Sequence, residues 1–197
     1  IKRKNLGKFY EPTHRVIAKR TFIYKEKNSK SNCLDYLPMG SNLLITKIYS
    51  NWAEIFLPES NLNLYVPNNH VIKINEKQKD WVNIAERLVG TPYKWGGRNS
   101  VGIDCSALLQ LSYQVYGELI PRNTSEQIKL KKKEINNISD LKRGHVIFWK
   151  GHVAIMIDKK NCVHANAFHM ETTIEPLKDI LTRMGKKYKI VKMLDFN

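Results

Sequence analysis

The sequence predicts an α+β chain whose antiparallel sheet is preceded by a small β-barrel. Three observations lead there. Between Arg15 and about Asn75, five or six short runs rich in β-branched and aromatic residues are separated by Gly, Pro, Asn and Ser turns, the pattern of a small barrel. After Asp80 helical patterns come first and consecutive strand patterns follow, which reads as α+β with an antiparallel sheet. Between the two helical patterns, Gly102-Ile103-Asp104-Cys105-Ser106-Ala107-Leu108-Leu109 turns a glycine-rich loop into an apolar helix.

Length and charge set bounds. At 197 residues the chain holds one good core or two small ones. Its 42% hydrophobic and 26% charged residues are those of a globular chain rather than a disordered one. No apolar run approaches the roughly 20 residues of a membrane helix, so no transmembrane segment is expected. Ile1-Lys2-Arg3-Lys4 is followed by no apolar segment, so no secretory signal is read. The 33 Lys+Arg against 18 Asp+Glu give a net charge of +15, which predicts attraction to polyanions. Nucleic acid is not the expected partner, because no binding motif and no basic run interleaved with aromatics occurs. Lys129, Lys131, Lys132 and Lys133 read as a solvated helix end or loop.

Cys33, Cys105 and Cys162 are odd in number and form no CxxC pair, so neither a disulfide framework nor a zinc finger is expected. Cys33 and Cys162 read as inert core thiols. A zinc site from Cys162, His164 and His169 fits by residue type but not by spacing, and no metal is expected. Free thiols favour a reducing, cytoplasmic compartment, with the periplasm or cell envelope as the alternative.

Residues 1–14 read as a basic, irregular arm. Residues 15–75 form the barrel domain, with strands expected at 16–18, 21–24, 43–49, 52–57, 65–67 and 71–74. Ser50-Asn51 is a tight hairpin turn, and 38–41 and 58–61 are further turns. A polar linker at 75–80 leads into the second domain, residues 79–197. Asp80 opens a helix over 81–88 that ends at Gly90 in a C-cap position. The Cys105 helix runs to Gly117, with Leu108, Leu111, Ser112 and Val115 on one face. A short helix restarts at Asn123 or Thr124. Strands follow at 145–149, 152–157 and 162–165, joined by Lys150-Gly151 and Lys159-Lys160-Asn161, then a helix over 176–184 and a last strand over 188–194.

Asp104 is placed to cap the central helix, its carboxylate accepting the first free backbone N–H groups. Cys105 falls in the first turn, where the helix dipole and unpaired N–H groups favour the thiolate. Two readings stand, a nucleophile or a buried thiol packing as a small hydrophobe. A nucleophile needs a base, and the base needs an orienting partner. His152 opens one expected strand and His164 lies late in the next. Counting about Lys159-Lys160-Asn161 sets His164 opposite Ile155 or Met156, so a bulge or a longer loop is needed to make it a neighbour of His152. His14, His70, His145 and His169 read as structural or surface residues.

Five stretches carry a resemblance. They are Thr91-Pro92-Tyr93-Lys94-Trp95-Gly96-Gly97, Asp104-Cys105-Ser106, Pro121-Arg122-Asn123-Thr124-Ser125-Glu126-Gln127, Phe148-Trp149-Lys150-Gly151-His152-Val153-Ala154-Ile155-Met156 and Val163-His164-Ala165-Asn166. In this order, over residues 88–177, the chain resembles the NlpC-type cysteine peptidases, bacterial hydrolases of cell-wall peptides with a papain-like core. The resemblance implies that Cys105 is the nucleophile, His152 the general base and His164 the third residue, which orients the base. It makes Tyr93 the tyrosine beside the oxyanion hole. Asp104 matches the position that, in relatives cutting free stem peptides, binds the substrate's terminal amine. Ser106 matches a substrate-contacting serine, Thr124 stands where relatives have a pocket-lining serine, and Trp95 joins the same substrate-binding set.

Residues 15–75 then resemble a bacterial SH3-like domain, which in such relatives packs over the cleft and admits only short peptides with a free N-terminal L-Ala. The implied reaction is hydrolysis, by a monomer and without metal or other cofactor, of the bond between γ-D-glutamate and meso-diaminopimelate or L-Lys in peptidoglycan stem peptides. Three positions depart from the pattern. Ala107 replaces a glycine after Asp-Cys-Ser, which favours the helix. His145 follows Gly144 where relatives often carry an acid. Ser41 follows Gly40 where relatives often carry an acid that helps hold the amine. The alternatives are a non-catalytic peptidoglycan-binding module, a wall-remodelling endopeptidase or amidase on intact peptidoglycan, and an acyltransferase on lipids. Intact Cys105, His152 and His164 argue against the first, and no acyl channel is evident for the last.

Overall fold

The computed structural model describes residues 10–57, 62–185 and 189–197. Residues 1–9 of the expected arm, the expected turn at 58–61 and Tyr188, the start of the expected last strand, lie outside them. The chain divides into two compact units between Lys77 and Gln78.

The first unit contains β1 (His14–Val16), β2 (Arg20–Tyr24), β3 (Cys33–Pro38), β4 (Asn42–Ile48), β5 (Trp52–Phe56), β6 (Leu64–Pro67) and β7 (Val71–Lys73). They form one antiparallel sheet in the order β3-β2-β6-β5-β4-β1-β7. Period-two alternation sends Ile23, Leu43, Ile45, Ala53, Ile55, Leu64 and Val66 into one cluster with Val16 and Val71, and each large aliphatic side chain so buried contributes about 1.5–3 kcal/mol. The Ser50-Asn51 turn is closed by the Tyr49 N–H donating to Trp52 O at 2.7 Å. The first strand lies at 14–16, not 16–18, because the N–H groups of Ile17 and Ala18 both turn to His70 O. β3 was not expected. Its first four residues are exposed, so the alternation that marks a half-buried strand is missing. Cys33 on β3 is exposed, which overturns its reading as a core thiol.

The second unit contains α1 (Trp81–Glu86), β8 (Arg98–Asn99), β9 (Gly102–Ile103), α2 (Cys105–Tyr116), α3 (Thr124–Gln127) and β10 (Lys133–Glu134). After these come β11 (His145–Trp149), β12 (His152–Met156), β13 (Asn161–Asn166), β14 (Glu171–Pro176), α4 (Leu177–Met184) and β15 (Ile190–Asp195). Six strands form an antiparallel sheet in the order β10-β15-β11-β12-β13-β14. Asp80 caps α1 by accepting from the Val82 and Asn83 N–H groups at 3.0 and 3.4 Å, and Arg143 ties both ends of α1 down through Asp80 and Glu86. α1 ends two residues before the expected stop, with Arg87 as its C-cap. Gly90 does not cap it: the Gly90 N–H crosses to Thr172 O at 2.8 Å.

Alternation divides the core of the sheet. Ile147, Trp149, Ala154, Met156 and Cys162 point to one side, under Leu177 and Ile180 of α4. Val146, Phe148, Val153, Ile155 and Val163 are also buried, on the opposite side, and α2 packs against β12 and β13. There Trp81, Tyr113, Phe148 and Phe196 stack ring on ring at 4.8–6.4 Å. β10, at one edge of the sheet, was not expected, and two further features depart from expectation. The hairpin between β12 and β13 is centred on Lys159, because Asp158 Oδ1 accepts from the Lys160 and Asn161 N–H groups, so Asn161 opens β13 instead of closing the turn. β14 was missed, since Glu171-Thr172-Thr173-Ile174-Glu175-Pro176 is mostly polar and sits at the sheet edge.

Candidate active site

Cys105 is held from three directions. Upstream, the loop that leads to it folds on its own backbone: the Lys94 N–H donates to Ile103 O, the Ile103 N–H to Pro92 O and the Gly97 N–H to Lys94 O. Gly96 adopts φ +74°, which places its N–H 2.9 Å from Asp104 Oδ2. A Cβ on Gly97 would meet Gly102 O at 2.4 Å and Lys94 O at 2.8 Å, both backbone atoms that cannot step aside. Gly97→Ala is therefore expected to lower stability by about 1–3 kcal/mol, the usual cost of overpacking, and a urea midpoint unchanged from wild type would refute that. Downstream, Asp104 Oδ1 accepts from the Ala107 N–H at 2.8 Å, so Asp104 is the N-cap. From the side, the buried amide of Gln127 donates to both Ser106 O and Pro121 O at 2.9 Å, fastening α3 to the first turn of α2.

The Asp104 carboxylate is fully engaged. Arg122 meets it end-on, Nη1 to Oδ1 at 2.9 Å and Nη2 to Oδ2 at 2.5 Å, and Nη1 also donates to Ser106 Oγ at 2.6 Å. Burial alone would raise the Asp104 carboxyl, but the Arg122 and backbone hydrogen bonds outweigh it and hold the group below its usual range. Trp95, Gly96, Asp104, Cys105, Ser106, Arg122, Thr124 and Gly151 share a cleft of about 170 Å³. Trp95 is 81% exposed at its rim. Tyr93 lies close by: burial raises its phenol, and charge on Cys105 and Asp104 raises it further.

The Cys105 thiol is buried and accepts from the Val153 N–H, which places it at the start of β12, one residue from His152. The β11–β12 hairpin turns in two residues, with Trp149 paired to His152 across Lys150-Gly151 and Gly151 at φ +79°. The register pairs Ile155 with Val163 and Met156 with Cys162, so His164 falls one step beyond Ile155 rather than opposite Ile155 or Met156. That shift follows from the turn's centre at Lys159 and brings the two imidazoles together without a bulge: His152 Nε2 lies 2.8 Å from His164 Nδ1. Burial pushes the Cys105 thiol up to about 11 and His152 down to about 3, with His164 and Arg183 as lesser causes and Glu175 opposing them. The helix-dipole expectation of a thiolate is thus outweighed by desolvation, and at rest the pair is thiol and neutral imidazole.

Behind His164 stand residues to which the sequence reading gave no part in the site. His164 Nε2 is 2.7 Å from Glu175 Oε1, and Arg183 clamps that carboxylate with Nη1 to Oε2 at 2.9 Å and Nη2 to Oε1 at 2.6 Å. His169, read as structural or surface, also faces Glu175 at 3.4 Å. His164 and His169 thus converge on Glu175, whereas Cys162 Sγ contacts Met156 Sδ. No group of three His, Cys, Asp or Glu able to hold a metal occurs among the described residues. The one sequence signal for Glu175 was the β-branched run Thr172-Thr173-Ile174 beside it.

These groups make the folded state acid-sensitive. The folded values of His152 and His164 lie below those of the unfolded chain, so below about pH 6.5 the unfolded chain binds more protons and stability falls. Arg183 and His164 overcome the effect of burial and draw Glu175 down to about 2, which contributes stability above the unfolded carboxyl value and loses it as pH falls further. The urea midpoint is expected to drop between about pH 7 and about pH 4, and a midpoint that holds or rises over that range contradicts the assignment.

A thiol at a helix start, bonded to the backbone of the strand that His152 opens, and a second imidazole hydrogen-bonded to His152, on an α+β scaffold, form a candidate thiol–imidazole site. Residues 90–188 match the NlpC/P60 family, and the chain belongs to that family. It is 31% identical over 110 residues to the dipeptidyl-peptidase 6 of Lysinibacillus sphaericus, covering 56% of this chain and 40% of that protein. It is 23% identical over 155 residues to the gamma-D-glutamyl-L-lysine dipeptidyl-peptidase of Bacillus subtilis (strain 168), covering 73% of this chain and 50% of that one. The chain spans about half the length of the curated relatives it matches. Among solved structures, an NlpC/P60 family protein from Bacillus cereus ATCC 10987 shares the fold with a TM-score of 0.76 at 22% identity, over 94% of this chain and 63% of that one. No helix among the described residues is long and apolar enough to cross a membrane.

Proposed function

We propose that the chain is a cysteine peptidase that hydrolyses peptidoglycan stem peptides after γ-D-glutamate, at the bond to L-Lys or meso-diaminopimelate. The observation that carries this reading is the hydrogen-bonded His152–His164 pair, whose first member opens β12, the strand whose Val153 N–H reaches the Cys105 thiol. The Bacillus subtilis relative's name supports the choice of bond. In the proposed mechanism His152 takes the Cys105 proton as sulfur attacks the amide carbonyl, since both groups begin neutral. The oxyanion forms beside the Cys105 N–H and the Tyr93 hydroxyl, and water activated by His152 releases the acyl group. Ser106, Thr124 and Trp95 line the peptide's path, and residues 15–75 are read as an SH3-like module. No metal enters the chemistry.

The engagement of Asp104 bears on which stem peptides are cut. Arg122 cancels its charge and fills both its oxygens, so a substrate ammonium gains little there unless it displaces Arg122. That observation favours a second reading beside the recycling of free L-Ala-γ-D-Glu fragments, an endopeptidase on intact wall. The experiment offers L-Ala-γ-D-Glu-diaminopimelate with its amine free or acetylated. Release of L-Ala-D-Glu from the free form alone supports the fragment reading. Equal cleavage of both supports the endopeptidase. Binding without cleavage of either overturns the enzyme.

A further inference from the structure

We propose that Glu175, clamped by Arg183, is a positioning residue that sets the tautomers of both site histidines, so that His152 presents a bare Nδ1 to Cys105. The proposal rests on the thiol–imidazole reading of the site and goes beyond it to the residues that make the base competent.

The hydrogen bonds determine the protons in sequence. Arg183 only donates, and its two bonds to Glu175 keep that side chain a carboxylate, which only accepts. The group 2.7 Å from Glu175 Oε1 is His164 Nε2, so Nε2 carries the proton. His164 is 1% exposed and its imidazole is held neutral by burial, so Nδ1 is a lone pair. That lone pair is 2.8 Å from His152 Nε2, which must therefore donate. His152 is neutral too, so its remaining nitrogen, Nδ1, is unprotonated and is the base. One contact competes. Asn166 Nδ2 approaches His164 Nε2 at 3.2 Å, with Asn166 Oδ1 already accepting from the His169 N–H at 2.8 Å. An amide donor there would favour the opposite tautomer. The carboxylate contact is shorter and charge-assisted, about twice as strong as a neutral bond, and it prevails. His169 Nε2 also faces Glu175 Oε1, at 3.4 Å.

The chain of donors fails in a specific way if Glu175 becomes glutamine. Arg183 claims the amide oxygen, the NH2 turns to His164 Nε2, and the proton of His164 moves to Nδ1. His152 Nε2 then accepts, its proton sits on Nδ1, and the base is blocked although every side chain keeps its place.

The test is nitrogen-15 NMR of histidine-labelled protein at neutral pH for wild type, Glu175→Gln and Glu175→Asp, with kcat and KM on L-Ala-γ-D-Glu-L-Lys. Wild type and Glu175→Asp are expected to show His152 protonated on Nε2, and Glu175→Gln to show it protonated on Nδ1. In Glu175→Gln, kcat falls by about 10²–10⁴-fold, the usual contribution of a general base, with KM little changed. Glu175→Asp loses less, although glutamine is the closer match in shape. A purely structural role predicts the reverse ranking and overturns the proposal, as does a wild-type His152 proton on Nδ1 or an unchanged tautomer in Glu175→Gln. If wild type leaves the tripeptide intact while the tautomers reverse as expected, the proposal stands and the substrate reading alone falls. Should Glu175→Gln not fold, the wild-type spectrum decides by itself.

Discussion

Cys105→Ala is expected to lose hydrolysis of L-Ala-γ-D-Glu-diaminopimelate by about 10⁴-fold or more, because removing a nucleophile removes the whole covalent route. The fold is expected to survive. Alanine is the best helix former, Asp104 still caps α2 through the Ala107 N–H, and the lost sulfur is small. His152→Ala should cost nearly as much, and the double variant little more than either alone, since the two act as one unit. Product release followed by chromatography, with near-ultraviolet circular dichroism as the check on folding, measures all three. Hydrolysis by Cys105→Ala at a rate near wild type would remove the mechanism, and losses that simply multiply in the double variant would separate His152 from the thiol.

The second large effect is on stability. Arg122→Ala leaves a carboxylate whose side chain is 10% exposed without its cation, and breaking a buried pair from that side costs about 3–5 kcal/mol. Asp104→Asn is expected to cost clearly less. The asparagine still caps the helix, and the Arg122 side chain, 23% exposed, reaches water on its own. Adding Asp104→Asn to Arg122→Ala should therefore recover part of the loss. Urea denaturation of the two single variants and the double variant closes the cycle. Equal costs for the single variants, or no recovery in the double, would mean that the Asp104–Arg122 pair is not what stabilises the start of α2.

Local chemistry was legible in the sequence and long-range pairing was not. Asp104 as cap and Gly117 as terminator of α2 depend on neighbours within one turn, and the structure has both, with Gly117 at φ +116°. The two-residue turn at Lys150-Gly151 was legible for the same reason. The pairing of His152 with His164 depended on a turn whose centre Asp158 sets through side-chain bonds, and counting alone misplaced it. Glu175 was hidden because its strand is polar and its partners, His164 and Arg183, meet it only through sheet pairing and the packing of α4. Arg122 stood within a quoted motif, but its partner Asp104 lies 18 residues upstream. For Cys105 the sequence showed the helix terminus that favours a thiolate, while the burial that opposes it arises only in the folded chain.

The backbone contact at Gly97 and Gly102 limits how this cleft can evolve. In the loop that leads to Asp104, main chain lies against main chain, and even one methyl group on Gly97 meets a carbonyl oxygen, so a new side chain cannot be recruited there. Divergence toward other peptides has to come from the rim, where Trp95 and Asn123 are exposed and a substitution displaces only solvent. Among relatives sharing this loop, cleavage chemistry should stay constant while preference for the residues flanking the cut drifts with those rim positions.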